Sequence, residues 1–345
     1  MPAADYLSRV VSRENLSVIE ARGAMLAILS GESSTAQIAA FLVALRMKGE
    51  TPEELLGFAQ ALRENVTRVD AGLGSEPLLD TCGTGGGEGA PTFNISTIAA
   101  LVVAGAGVRV AKHGNRSFSS ACGSADVLEE LGVHCGLNAQ QCGRSIREVG
   151  IGFLFAPVLH PAVKHAQPAR QELKMRTVFN LLGPLVNPAG ASTQLIGASS
   201  PWAAELMAKA LAGLGPERAF VVHGSDGLDE VTLTGPTLAF EINGDKLKQH
   251  EWTPSDFGLE AASSAALKGG DRAMNAAIAK GILKGEQGPR RNIVLINAAA
   301  ALLASGQAQS LIEGMRQAAE SIDTGAAQAK LDQLIDFTRS CRRAS

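Results

Sequence analysis

Aromatic side chains are scarce: they make up 4% of the 345 residues, with one tyrosine and two tryptophans. A groove that binds single strands by stacking bases on rings finds little to work with here. Positive charge is not in excess either. The 31 Lys and Arg are outnumbered by 34 Asp and Glu, for a formal net charge of -3. No global basic field therefore draws the chain to nucleic acid or an anionic membrane. Cysteine is equally sparse, and Cys82, Cys122, Cys135, Cys142 and Cys341 show no CxxC spacing. An odd set of that kind reads as reduced thiols of a cytoplasmic protein, not a disulfide framework or a zinc site. Long apolar runs are absent too. The most apolar stretch, Ile98 to Val110, is broken by glycines and too short to span a bilayer. The first residues, MPAADYLSRVVSREN, lack the apolar core of a secretory signal.

What is present suits a globular protein with ample core: 46% hydrophobic residues and 19% charged ones. The length fits two domains, or one large α/β unit with an appended piece. Residues 1–72 read as all helical. Ser17-Val-Ile-Glu20, Ser34-Thr-Ala-Gln37 and Thr51-Pro-Glu-Glu54 each place a hydroxyl at an N-cap and Glu or Gln three residues on. Behind the second box, Ile38, Phe41, Leu42 and Leu45 recur at helical spacing.

After Gly72 the character changes. Short apolar runs at Pro77–Asp80, Val108–Ala111, Gln194–Gly197, Ala219–Val222 and Leu238–Glu241 alternate with helical patterns. That alternation predicts a mostly parallel sheet with helices on both faces. Between about 156 and 190 the strand signal lapses, and RQELKMRTVFNLLGPLVNP reads as helix followed by loop. The chain divides accordingly. Residues 1–72, completed by helices from about 163–185, form a small helical domain; 73–162 and 186–345 form an α/β domain.

One stretch asks for a chemical explanation. In LDTCGTGGGEGAPTFNIST, Leu79 to Thr97, five of the seven residues from Gly83 to Gly89 are glycine. An apolar run, a glycine turn and a helix capped near Asn94 or Ser96 make an anion site. The glycines let successive backbone N–H groups face one point, and the helix adds its own free N–H groups. A lone glycine cluster reads equally as a surface loop. The spacing fits neither the GxxxxGK[ST] loop, since no Lys follows, nor the dinucleotide GxGxxG.

A second element, AKHGNRSFSSACGSAD, follows the strand Val108–Ala111. Lys112, His113 and Arg116 surround Gly114, and Ser117, Ser119 and Ser120 offer hydroxyls. Both elements sit at carboxyl ends of strands, where open α/β sheets gather ligands. A third follows the strand Ala219–Val222: Asp229 and Glu230, adjacent carboxylates in HGSDGLDEVTL. Hard oxygen ligands suit Mg²⁺, although such a pair by itself is usually a solvated surface feature. Asp226 is a nearby carboxylate without an assigned part.

GTGG with NIST, KHGNRS with SSACGSADVLEELG, FLFAPVLHPAVKHAQPARQELKMRTVFNLLGPLVNP and VVHGSDGLDEVTL together cover most of the chain. They resemble the anthranilate phosphoribosyltransferases of tryptophan biosynthesis. One departure stands in the loop: where the family writes GTGGDG, this chain has an inserted glycine and puts Glu88 near the usual Asp.

The resemblance implies a nucleoside phosphorylase-like fold, a small helical domain plus a larger α/β one, and a homodimer joined through the helical domain. It implies transfer of the phosphoribosyl group of phosphoribosyl pyrophosphate to the amine of anthranilate, with Mg²⁺ and without a covalent nucleophile. The donor substrate falls to Gly83, Thr84, Gly85, Gly86, Asn94, Ser96, Thr97, Lys112 and Ser120. Anthranilate falls to Gly83, His113, Asn115, His160, Arg170 and Pro184, and the metal to Ser96, Asp229 and Glu230. Arg suits the acceptor's carboxylate because its planar fork makes two parallel charge-assisted bonds. His160 reads equally as a structural histidine, and Arg176 as an ion-pair partner between helices. A pyrimidine nucleoside phosphorylase would share the architecture, but KHGNR and RQELKMRT follow the transferase pattern.

Overall fold

The computed structural model describes residues 3–85, 92–117, 122–244 and 246–343. Four helices come first: α1 (Ala3–Val11), α2 (Val18–Leu29), α3 (Thr35–Lys48) and α4 (Pro52–Glu64). The starts of α2, α3 and α4 carry the three anticipated capping boxes, each with both reciprocal bonds made. In the third box Glu54 is buried. Its carboxylate accepts from the Thr51 and Leu16 N–H groups and from the Lys48 ammonium, each at 2.9 Å. That network ties the entry of α4 to the segment before α2.

A seven-stranded sheet follows: β1 (Leu78–Gly83), β2 (Arg109–Gly114), β3 (Ile151–Phe155), β4 (Thr193–Gly197), β5 (Arg218–Gly224), β6 (Thr237–Asn243) and β7 (Lys246–Trp252). Their spatial order is β3-β2-β1-β4-β5-β6-β7. The first five pair in parallel, and β6 and β7 add an antiparallel edge. All five anticipated strands are present. Two more escaped the pattern, for different reasons. β3, IGFLF, is a short buried run broken by Gly152 beside a helix, where periodicity cannot separate strand from helix. β7, KLKQHEW, is an exposed edge, and its charged residues guard that edge against pairing with other chains.

The remaining helices cover the sheet. They are α5 (Ile95–Gly105), α6 (Ser124–Leu131), α7 (Ala139–Val149), α8 (Ala156–Leu159), α9 (Gln167–Leu173), α10 (Phe179–Leu182), α11 (Pro201–Leu214), α12 (Arg272–Leu283), α13 (Pro289–Ala304), α14 (Leu311–Asp323) and α15 (Ala326–Arg343). On one face the apolar stretches of α5 and α13 pack together with Leu79, Val110 and Phe220 of the sheet. On the other face Ile196, Val221 and Ile242 share a core with Met25, Phe41 and Phe58 of the N-terminal helices, and with Ala169, Phe179 and Leu182 of α9 and α10. The N-terminal bundle is therefore seated on the sheet through α9, α10 and α11. The chain leaves β1 toward β2 and β3, then returns to lay β4 on its other side. The order reverses at β1, and a crevice opens at the carboxyl ends there.

Candidate active site

Three loops meet at that crevice. β1 ends at Gly83 and runs into the glycine loop. β2 ends at Gly114 and continues through Asn115. β5 ends at Gly224 and turns back to bring Asp229 over the sheet. Asp226 makes that turn: its carboxylate accepts from the Leu228 N–H at 3.3 Å and from the Thr232 and Thr234 hydroxyls at 2.6 and 2.7 Å. It braces the loop.

Gly83 and Gly197 pair across β1 and β4, and Asp229 lies directly on both. A Cβ on Gly197 would stand 1.7 Å from the Asp229 carbonyl oxygen; one on Gly83 would stand 2.6 Å from its carboxylate. Only glycine admits this approach. It puts Asp229 within 2.7 Å of the Gly85 N–H, which donates to Oδ2, while the Ser96 N–H at the start of α5 donates to Glu230 at 3.1 Å. Arg176 grips the loop from the other side. It donates to the Gly85 and Thr84 carbonyls at 2.7 and 3.4 Å and to the Ser199 hydroxyl at 3.3 Å. The Thr84–Gly85 peptide is thus held at both ends, its carbonyl by Arg176 and its N–H by Asp229.

Burial is the main cause that lifts the proton affinity of both carboxylates; for Glu230 the nearby Asp229 charge comes second. Lys112 is 4% exposed, donates to the Thr81 carbonyl, and opposes the rise in Glu230. Asp80 beneath is fully buried and pushed up to about 6 by burial, against the pull of Lys112. It accepts from the His113 N–H at 3.1 Å and from Asn187 at 2.7 Å, which fixes the end of β2.

His113 Nδ1 lies 3.1 Å from the Gly183 carbonyl, and its Nε2 lies 3.2 Å from His160 Nε2. A carbonyl only accepts, so Nδ1 carries the proton of His113, and His160 donates to the other nitrogen. Burial lowers the two rings to about 3 and about 4, so both are neutral at pH 7. Cys82 is pushed up to about 12 by burial and is no nucleophile.

A cavity of about 620 Å³ opens between the loops. Its wall holds Gly83, Thr84, Gly85, Asn94, Ser96, Thr97, Lys112, His113, Asn115, Arg170, Pro184, Asp229 and Glu230, thirteen of the site residues anticipated from sequence. Gly86 and Ser120, like Glu88, lie outside the described residues. His160 is not on this wall; it stands behind His113 and sets its tautomer. Arg116 reaches the cavity but is held against α6 by Glu129 at 2.7 Å and Asp126 at 3.1 Å. Arg170 lies 5.1 Å over the Phe179 ring and has no ion-pair partner among the described residues. Asn180, Lys268 and Asn275, which carried no sequence assignment, also line the wall, as does Arg176, read from the sequence as an ion-pair partner between helices.

Comparison with known proteins gives a consistent picture. The helical bundle domain of a glycosyl transferase family matches residues 4–66, and that family's a/b domain matches 75–328. An anthranilate phosphoribosyltransferase of Solibacter usitatus is 58% identical over 340 residues, 99% of this chain and 100% of that protein. The crystal structure of anthranilate phosphoribosyltransferase from Thermus thermophilus matches with a TM-score of 0.90 and 44% identity, over 98% of this chain and 100% of that one. The Saccharomyces cerevisiae enzyme, in complex with phosphoribosyl pyrophosphate and Mg, matches with a TM-score of 0.87 and 30% identity over 98% of each.

Two outcomes follow from the geometry. Gly197→Ala forces the Asp229 backbone to move by more than 1 Å, which should lower kcat/KM by about a hundredfold and stability by about 1–3 kcal/mol; steady-state assay and thermal melting measure both. The unfolded chain protonates its imidazoles near the ordinary 6.5, whereas the folded one does so only near 3 and 4. Stability from keeping these rings neutral is therefore complete above about pH 6.5 and drains as pH falls toward 4. In His160→Gln one titrating ring is gone, so Tm should fall less steeply between pH 6.5 and 5 than in the parent; equal slopes would remove the pair from the acid response.

Proposed function

The chain belongs to the anthranilate phosphoribosyltransferase family, and from that membership we propose how its own residues carry out the transfer. The phosphoribosyl group passes from phosphoribosyl pyrophosphate to the amine of anthranilate, and pyrophosphate leaves. The donor's phosphates take the backbone N–H groups after β1 and at the start of α5, with Ser96, Thr97, Lys112 and Asn94 around them, and Gly86 and Ser120 completing the set. The carboxylate of anthranilate takes Arg170, and Gly83, His113, Asn115 and Pro184 enclose its ring, with His160 acting through His113.

The observation that carries this assignment is Arg170. Its guanidinium is desolvated enough to lower its proton affinity, lines the cavity, and faces no carboxylate of the described chain. A planar cation in that state is completed by a planar anion.

Asp229, Glu230 and the Ser96 hydroxyl fit Mg²⁺. They are hard oxygens, and the two carboxylates, buried together, each hold protons more tightly than in water. A divalent cation relieves that repulsion. When bound it supplies positive charge beside the leaving pyrophosphate. The protein contributes the rest by position. Breaking the bond at ribose C1 ahead of bond formation leaves positive charge on the sugar and negative charge on the leaving group, and prearranged N–H groups and Lys112 stabilise the latter. Both His113 nitrogens are committed within the protein, so His113 orients and does not abstract a proton. None is needed at the start: the aromatic amine is a neutral nucleophile.

We place a homodimer interface on the helical bundle. The three most exposed large apolar side chains among the described residues, Ile19, Met47 and Val11, all lie there. Cys82, Cys135 and Cys142 are free thiols, which supports a cytoplasmic location, and among the described residues no helix is long and apolar enough to cross a membrane.

Following anthranilate fluorescence with and without donor and magnesium tests the reaction directly. Arg170→Ala should raise the KM for anthranilate by about tenfold to a hundredfold, as loss of a charge-assisted pair implies, with little change for the donor; an equal rise in both would remove Arg170 from the acceptor site. Asp229→Ala combined with Glu230→Ala should shift the magnesium concentration needed for half-maximal rate upward, and an unaltered dependence would take the pair out of the metal site.

A further inference from the structure

Resting on the placement of the donor's phosphates at the start of α5, we propose that Asn275 on α12 is a positioning residue for the donor substrate. It stands 181 positions from the helix terminus it sets. Asn94 occupies the N-cap of α5, where an Asn ordinarily folds its side chain back onto the N–H groups of the first turn. Here it makes no capping bond. Its amide is turned outward instead: Nδ2 donates to the Cys122 carbonyl at 3.1 Å, and Oδ1 accepts from Asn275 Nδ2 at 3.1 Å. Asn275 is 2% exposed, and its own Oδ1 accepts from the Gly270 N–H at 2.8 Å.

Two linked amides, Asn275 and Asn94, therefore tie together three segments of the cavity wall. Thr92–Asn94 leaves the glycine loop, Cys122–Gly123 closes the loop after β2, and Lys268–Gly270 precedes α12; Thr92 and Lys268 also form an isolated antiparallel bridge. Asn275 is free for this work because Asp271 already caps α12 by accepting from the Met274 N–H at 2.8 Å.

The physical consequence concerns competition. A capping side chain would occupy the same N–H groups that an incoming phosphate needs. The Ser96 N–H is already given to Glu230 and the Ile95 N–H to the Phe93 carbonyl, so the donor at stake is the Thr97 N–H; by engaging Asn94 Oδ1, Asn275 keeps the side-chain cap off it and leaves it to the ligand. Without it the Asn94 amide can rotate back and close the first turn, and the donor must displace it at each binding event. Anthranilate, held at Arg170 on the far wall, does not meet this competition.

Kinetics of Asn275→Ala, Asn94→Ala and the double variant test this in the intact enzyme. Asn275→Ala should raise the KM for phosphoribosyl pyrophosphate about tenfold, the equivalent of one hydrogen bond, with kcat and the anthranilate KM within about twofold of the parent. Asn94→Ala has no amide to rotate back, so adding Asn275→Ala to it should raise the donor KM no further. Should Asn275→Ala fold poorly, Asn275→Asp keeps nearly the same volume and the acceptor for Gly270 but cannot donate to Asn94, and the same non-additivity applies. Equal rises in both Michaelis constants, or effects that multiply in the double variant, would overturn the positioning role while leaving the transfer reaction intact. Failure of the parent protein to consume anthranilate with donor and magnesium would instead sink both.

Discussion

The approach of Asp229 to the carboxyl ends of β1 and β4 is the constraint on which the site depends. Two glycines, paired across the strands, make room for a backbone segment that comes from beyond β5. Any side chain at Gly197 would hold that segment off the sheet, and with it the carboxylates that meet the glycine loop. The reversal of strand order at β1 opens the crevice, but the missing Cβ atoms let three separate loops share it.

Once packed so closely, the groups alter one another's chemistry. Asp80, Asp229 and Glu230 are all pushed toward protonation by burial, and Lys112 works against this at Asp80 and Glu230. The same burial pushes His113 and His160 the opposite way, toward neutrality. The result, among the described residues, is a cavity with strong charge-binding capacity and a neutral imidazole on its wall. Such a wall suits a reaction in which a leaving group departs from a sugar and a neutral amine arrives, because positioning and charge dispersal carry most of the barrier reduction. Arg176 and Asp229 grip the Thr84–Gly85 peptide from opposite ends, its carbonyl and its N–H.

Local chemistry was readable wherever it depended on neighbours in sequence. Ser17, Ser34 and Thr51 cap their helices as their spacing requires, since a capping box closes within four residues. The glycine loop, the KHGN element and the Asp229-Glu230 pair were likewise visible as candidate binding segments, because glycine freedom and clustered charge need no partner to be seen. What escaped depended on distance. β3 was too short for its period to declare itself, and β7 took its strand character from β6. Arg176 and His160, each open to two readings, have contacts that only the fold shows: two loop carbonyls for one, a second imidazole for the other. Asp226, a carboxylate among carboxylates, turned out to brace its own turn.

The sequence by itself determined the helical start, the alternating sheet and the kinds of group available for phosphate, carboxylate and metal, because these follow from periodicity, capping and side-chain type. Tertiary structure alone decided which of those groups share a cavity and in what state. Proton affinity, tautomer and an open or closed helix cap are set by what is buried within a few ångströms, and Asn275, Asn94 and Cys122 become neighbours only after the chain has folded.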